Sequence, residues 1–207
     1  MTPDTDDLSA FLASDEVVDW RNSAVQSQAD AIVRGLSDDV EMARRLFEWV
    51  RDEIAHSKDI ESDVVTCSAS QVLSAGTGIC YAKSHLLAAF LRAVNIPAGF
   101  CYQVLRSGQY PSQMVLHGLN GIYLPCLDRW IRVDPRGNTN GISAQFSLEE
   151  EQLAFSMVPD QGEYIYNWIY SNPAPEVVSV LSRYTSRLEM WPELPQCIVD
   201  TMSTSAR

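Results

Sequence analysis

One stretch limits the fold more than any other. From Cys80 onward, Leu86, Leu87, Phe90, Leu91 and Val94 recur at helical spacing and cover much of the helix circumference. A helix that is apolar on so many sides has to lie inside, with other layers packed around it. Asn95-Ile96-Pro97 stops it, because the residue before a proline is pushed out of the helical region. The periodicity then changes. Residues 98–105, 113–124 and 129–134 read as strands, joined by Ser107–Ser112 and by Pro125-Cys126-Leu127-Asp128. Spacing this short makes antiparallel pairing the default.

Helices flank these strands on both sides in sequence. A first helix is expected over about 15–34, with Gly35 as its C′ residue. A second follows Ser37, where Asp38-x-x-Glu41 offers a capping box and Ala43, Leu46, Phe47, Val50 and Ile54 form one stripe. Residues 56–70 read as a polar surface loop, and Ser70–Leu73 as a helical turn ending at Gly76. Ser147-Leu148-Glu149-Glu150-Glu151 predicts a further helix start, and Pro175 a last helix to about Leu188. Residues 1–13 are expected to attach loosely, with Leu8, Phe11 and Leu12 able to dock. Helices, antiparallel strands, then helices is an α+β order. The expectation is a single domain over 1–207, with its core at about 38–138, a helical N-terminal extension (1–36) and a C-terminal extension (139–207).

Composition narrows the function classes. A net charge of −12 repels phosphate backbones and anionic membrane surfaces, so neither nucleic acid nor a membrane is expected as a partner. No apolar run reaches membrane-spanning length. Met1-Thr2-Pro3-Asp4 has neither a basic region nor an apolar one, so a reducing, cytoplasmic setting with free thiols is expected. The five cysteines show no zinc-ligand spacing, so no metal or cofactor is expected. Cys67, Cys101, Cys126 and Cys197 read as small buried hydrophobes.

Cys80 reads differently. It opens the buried helix, and a helix start favours thiolate through its free N–H groups. The same amides can hold a developing oxyanion, and Gly78 allows close approach of a substrate just before the nucleophile. Such a cysteine needs a base. His85 lies about 140° around the same helix and points elsewhere. His56 lies either near a cleft or on the surface. His117 sits mid-strand in Met114-Val115-Leu116-His117-Gly118, and Asp134 ends the next strand. If Pro125–Asp128 forms the hairpin loop, Leu124 faces Arg129 and Asp134 is the diagonal neighbour of His117. A two-residue loop would put the two directly opposite. Both registers place imidazole and carboxylate on one sheet face, where the aspartate can orient the histidine.

These residues carry a resemblance. Gly78-Ile79-Cys80 together with Leu86–Ala98 resembles the core motif of the transglutaminase-like superfamily, which has a papain-like fold. His117–Tyr123 is similar to that family's histidine strand, and Trp130–Pro135 to its aspartate strand. The resemblance implies Cys80 as nucleophile, His117 as general base and acid, and Asp134 as orienter. Residues 137–148, 153–155 and 191–195 are similar to small bacterial members. The chain departs from the family where alanine-tryptophan and a nearby acid often follow the histidine, having Gly118, Leu119 and Gly121, and it has Lys83 where an acid or aromatic is common. Both changes bear on the cleft walls and so on the substrate.

The expected activity is acyl transfer through a thioester, with a peptide, protein or small amide as substrate and hydrolysis favoured over transamidation. No calcium loop is present, so calcium dependence is not expected. Gln71, His56 and Lys58 are candidates for the second oxyanion donor, and Gly78 and Tyr81 for substrate contact. The competing expectation is a non-catalytic binding module using the aromatic run Tyr164–Tyr170. Oligomeric state is not legible.

Overall fold

The computed structural model describes residues 1–110, 112–139 and 141–199. Its elements run β1 (Thr2–Pro3), α1 (Ser23–Ile32), α2 (Asp39–Glu53), β2 (Ala55–His56), α3 (Ala69–Ala75), β3 (Thr77–Gly78), α4 (Cys80–Ala93), β4 (Ala98–Arg106), β5 (Met114–Leu124), β6 (Arg129–Val133), β7 (Tyr164–Ile165), β8 (Trp168–Ile169), α5 (Pro175–Arg183) and α6 (Arg187–Met190). The α+β class follows: an antiparallel sheet in the order β6-β5-β4-β7, with α4 packed against it and further helices around α4. No described helix is long and apolar enough to cross a membrane.

α4 is buried from Cys80 to Arg92, including Lys83, His85 and Arg92. Burial of charge on this scale requires partners. Arg92 donates to the carbonyls of Ala98 (3.1 and 2.8 Å), Ser171 (2.7 Å) and Ala13 (2.8 Å). Lys83 donates to the carbonyls of Arg51 (3.2 Å) and Ile54 at the C-terminal end of α2. The two faces of the sheet are covered separately. Phe100, Tyr102, Leu116 and Ile122 join α4 in the main core. Cys101 and Leu119 meet Phe11 and Ile169 in a smaller cluster.

The β5–β6 register is the one set by a four-residue loop, with Leu124 paired to Arg129 and Asn120 to Val133. Asp128 turns the corner in the left-handed region (φ 48°). The departures Gly118 and Gly121 have a packing cause. A Cβ on Gly118 would lie 2.7 Å from Cδ1 of Tyr81, and one on Gly121 would lie 2.7 Å from Cγ2 of Ile169.

Several expectations need correction. The first helix starts at Ser23, not Asp15. Asp15 instead accepts from the amides of Val17 (2.7 Å) and Val18 (2.6 Å), and Asn22 caps the helix. These short polar side chains hold the backbone outside a helix. Residues 56–70 are not simply a surface loop: His56, Ser57 and Thr66 are buried, because β2 pairs in parallel with β3. The segment from Ser147 makes a turn, its hydroxyl accepting from Glu149 and Glu150, and no helix follows. The last helix breaks at Tyr184, and Ser186 caps a new one. Residues 1–13 are docked rather than loose, with β1 paired to β8 and Phe11 wholly buried. Cys126 and Cys197 are exposed, while Cys101 is buried and Cys67 half-buried.

Candidate active site

α3 ends at Gly76 in the left-handed conformation (φ 64°). Two residues of β3 and then Ile79 bring the chain to Cys80, the first residue of α4. Ile79 provides no side-chain cap, so the opening N–H groups of α4 are not taken up by a capping side chain. Cys80 is 9% exposed, enough to reach a cleft of about 360 Å³. Widely separated parts of the chain wall that cleft, among them His56 and Lys58, the β4–β5 hairpin, Arg136, Phe155, Glu163, and Trp191 with Leu194.

His117 donates from Nε2 to Oδ2 of Asp134 at 2.8 Å. The diagonal register makes this contact possible. An ionised carboxylate accepts only, so Nε2 carries the proton that bonds Asp134 and Nδ1 is not engaged by it; His117 and Cys80 both line the cleft. Burial works against a charged imidazole here, but Asp134 and Cys80 outweigh it and raise the His117 pKa to about 10. Asp134 is fully buried. It also accepts from the amides of Arg136 (3.0 Å) and Ala154 (3.1 Å). Burial pushes its carboxyl up, yet His117 and these donors hold it below its ordinary value. Asp134 therefore caps its turn and orients the imidazole with the same side chain.

His56 also faces the cleft. β2 ties it directly before Cys80, opposite Gly78, and the Ser57 amide donates to the Gly78 carbonyl at 3.1 Å. Burial, followed by nearby Arg136, Lys83, His117 and Lys58, lowers the His56 pKa well below its usual value. The ring is therefore neutral. Its Nδ1 accepts from the Lys58 amide at 3.3 Å, which leaves Nε2–H as a donor.

The other expected site residues sit elsewhere. Gln71 lies on the exposed side of α3, its Oε1 accepting from the amides of Cys67 (2.9 Å) and Ser68 (3.2 Å) as part of a capping box. That carbonyl is committed away from the cleft. Gly78 is buried under Ala82 and Thr66, each 3.0 Å from where its Cβ would stand, so it serves helix packing and not substrate approach. Tyr81 lines the inner wall, but its hydroxyl is spent on the Leu116 carbonyl. That carbonyl is available because β6 ends opposite Asn120, and the Pro195 carbonyl accepts from the Leu116 amide at 2.7 Å.

Two contributors were not among the expected site residues. The Phe155 ring stands edge-on to His117, with centroids 5.0 Å apart, and shields the ion pair. Arg136 sits 6.0 Å from the Phe155 centroid and pairs with Asp59 at 2.5 and 2.7 Å. Phe155 follows a segment with helix-start residues, and only the fold brings it across the histidine.

A family model described as the transglutaminase-like superfamily matches residues 26–135. Among curated proteins none matches the chain. A solved structure of a candidate cysteine protease from Cytophaga hutchinsonii is similar in fold, at 18% identity and a TM-score of 0.53 over 64% of this chain. The match spans 43% of that structure, so this chain corresponds to less than half of it. A candidate protease from Parabacteroides distasonis aligns over 60% of this chain and 26% of its own, at 12% identity and a TM-score of 0.39. The family match covers more than half of the chain and includes the cysteine helix, the histidine strand and the aspartate, so the protein belongs to the transglutaminase-like superfamily.

Proposed function

We propose that the protein is a thiol-dependent acyl-transfer enzyme acting on amide bonds, with Cys80 as nucleophile, His117 as base and acid, and Asp134 as orienter. The single observation that carries this reading is that His117, hydrogen-bonded to Asp134, faces the same cleft as Cys80, which stands at an uncapped helix start. The Cys80 sulfur attacks the amide carbon. The oxyanion forms against the Cys80 N–H, and the neutral His56 is the best second donor because its Nε2–H is uncommitted. The C–N bond breaks, and His117 Nδ1 gives its proton to the departing amine. Water then gives a proton to His117 and attacks the thioester. The C–S bond breaks, releasing a carboxylic acid and leaving the Cys80 thiolate beside protonated His117, the pair that began the cycle. An amine in place of water would give transamidation. We favour hydrolysis because Glu163, the one carboxylate lining the cleft among the described residues, is already taken up by the amides of Arg106 and Val158 and so is not set out to hold an amine. The similar Cytophaga hutchinsonii protein is a candidate cysteine protease, which agrees with a peptide or protein as substrate.

The test is alkylation by iodoacetamide across pH, read by peptide mass mapping, followed by amide substrates with and without added amines. Selective modification of Cys80 near pH 6, lost in His117→Ala, is the expected result. Slow, uniform labelling of all five cysteines would overturn the catalytic reading and favour a binding module.

A further inference from the structure

The cleft differs in charge from the rest of the chain. The protein carries −12 overall, yet its cleft is walled by three basic side chains, Lys58, Arg106 and Arg136, against one carboxylate, Glu163. Most of these charges are already committed. Glu163 accepts from the amides of Arg106 (2.9 Å) and Val158 (2.8 Å). Arg136 is held by Asp59, and Arg106 donates to the Gln161 carbonyl at 3.0 Å. Lys58 stands apart. No carboxylate of the described residues lies within ion-pair distance of its ammonium. The group is exposed at the cleft wall and steadied by the Trp191 ring, whose centroid is 5.1 Å away. Its own amide binds His56, which places it two residues from the group we assign to the oxyanion.

We propose that the cleft takes acyl donors carrying a carboxylate beside the scissile amide, and that the Lys58 ammonium holds that carboxylate; this rests on the acyl-transfer reading above. An anionic substrate approaching a chain of strong net negative charge needs a local positive field, and the cleft supplies one. The shared chemistry is the carboxylate, which comes either from an acidic side chain or from a free C-terminus.

The experiment compares iodoacetate with iodoacetamide at Cys80, each rate normalised to that of free glutathione. In both cases the thiolate displaces iodide and forms one S–C bond, so the two reagents differ in the carboxylate alone. The normalised iodoacetate preference should fall about threefold or more in Lys58→Gln, invert in Lys58→Glu, survive in Lys58→Arg and shrink in 0.5 M salt. A preference unchanged in Lys58→Gln and Lys58→Glu overturns the proposal while leaving the catalytic reading intact. Failure of iodoacetamide to modify Cys80 selectively overturns the catalytic reading itself. Peptide amides with Glu or Gln beside the scissile bond, each with a free or amidated C-terminus, then identify the source: KM should rise in Lys58→Gln for the peptide bearing the recognised carboxylate. Equal KM across all four peptides in the wild type also overturns the proposal.

Discussion

His85 and His117 are both buried, at 1% and 5% exposure, and both belong to the layers around α4, yet their ionisation is opposite. On the inner side of α4, burial lowers the His85 pKa to about 4, with a backbone carbonyl, that of Cys67, as its hydrogen-bond partner. On the cleft floor, a carboxylate and a sulfur raise His117 to about 10 against the same penalty. Lys83 and Arg92 belong with His85, since each is held by backbone carbonyls. Burial therefore does not mark a functional group in this protein. The partner does: neutral dipoles hold a polar side chain in place, and an ionised partner stores a proton where chemistry can use it.

The largest expected effect is on the cleft floor. Cys80→Ala should abolish turnover, and His117→Ala should lower kcat on the order of 10⁴ or more, because members of such a group act as a unit. Both variants should remain folded by circular dichroism. Substantial turnover in His117→Ala would erase the difference between the two histidines.

Asp134→Asn should lower kcat by about 10²–10⁴, since the amide no longer fixes the tautomer or the charge. It should also change the pH profile. With Asp134 present, the His117 pKa is raised, so the stability contributed by the charged imidazole is complete below about 6.5 and is lost as pH rises through about 10. Imidazolium, the proton donor in the proposed mechanism, persists over the same range. In the variant, the alkaline limb should move down towards the ordinary histidine value. An unchanged limb in a pH–rate profile would mean that Asp134 does not govern His117.

Much of this floor could be read in the residues. The four residues Pro125–Asp128 set the hairpin, and strand parity then put His117 and Asp134 on one face. The all-round apolarity of Leu86 to Val94 implied a buried α4. The walls were not legible. His56 lies in a polar stretch, and its burial comes from pairing with Gly78, more than twenty residues later. Ala154 and Phe155 follow a sequence with helix-start chemistry, but an extended path is needed to reach Asp134. Gln71 has the chemistry of an oxyanion donor, but its side chain closes the α3 cap.

Lys83 sharpens the comparison through stability. Burial lowers its pKa to about 7, against 10.5 for an ordinary lysine, with Arg136 adding to the effect and Asp134, Asp59 and Asp52 opposing it. Between those two values the unfolded chain binds a proton that the folded protein does not, so stability rises with pH across the window. Relative to Lys83→Met, the wild type should gain up to a swing on the order of 4 kcal/mol between pH 7 and 10.5. Thermal unfolding of both proteins at several pH values measures this. A constant difference would show that Lys83 does not titrate in the fold.

The smallest effect belongs to His85. The Cys67 carbonyl can only accept, so Nδ1 at 2.8 Å carries the proton, and Nε2 is buried with no partner. The ring also stands edge-on to Phe100, with centroids 5.6 Å apart. His85→Phe keeps an aromatic ring and removes the unpaired nitrogen, but it leaves the Cys67 carbonyl without its donor. The net cost should be about 1–2 kcal/mol near neutral pH. The sign reverses towards acid. Below about 6.5 the unfolded histidine takes up a proton that the folded one refuses until about 4, which destabilises the wild type and not the variant. The stability deficit of His85→Phe should therefore narrow and then reverse as pH falls from 6.5 to about 4. Its rate of Cys80 alkylation at about pH 7 should stay within about twofold of wild type, since no ionised group links His85 to the cleft. A loss of reactivity comparable to that of His117→Ala would show that the two histidines are coupled through α4, and the division between holding and reacting groups would fail.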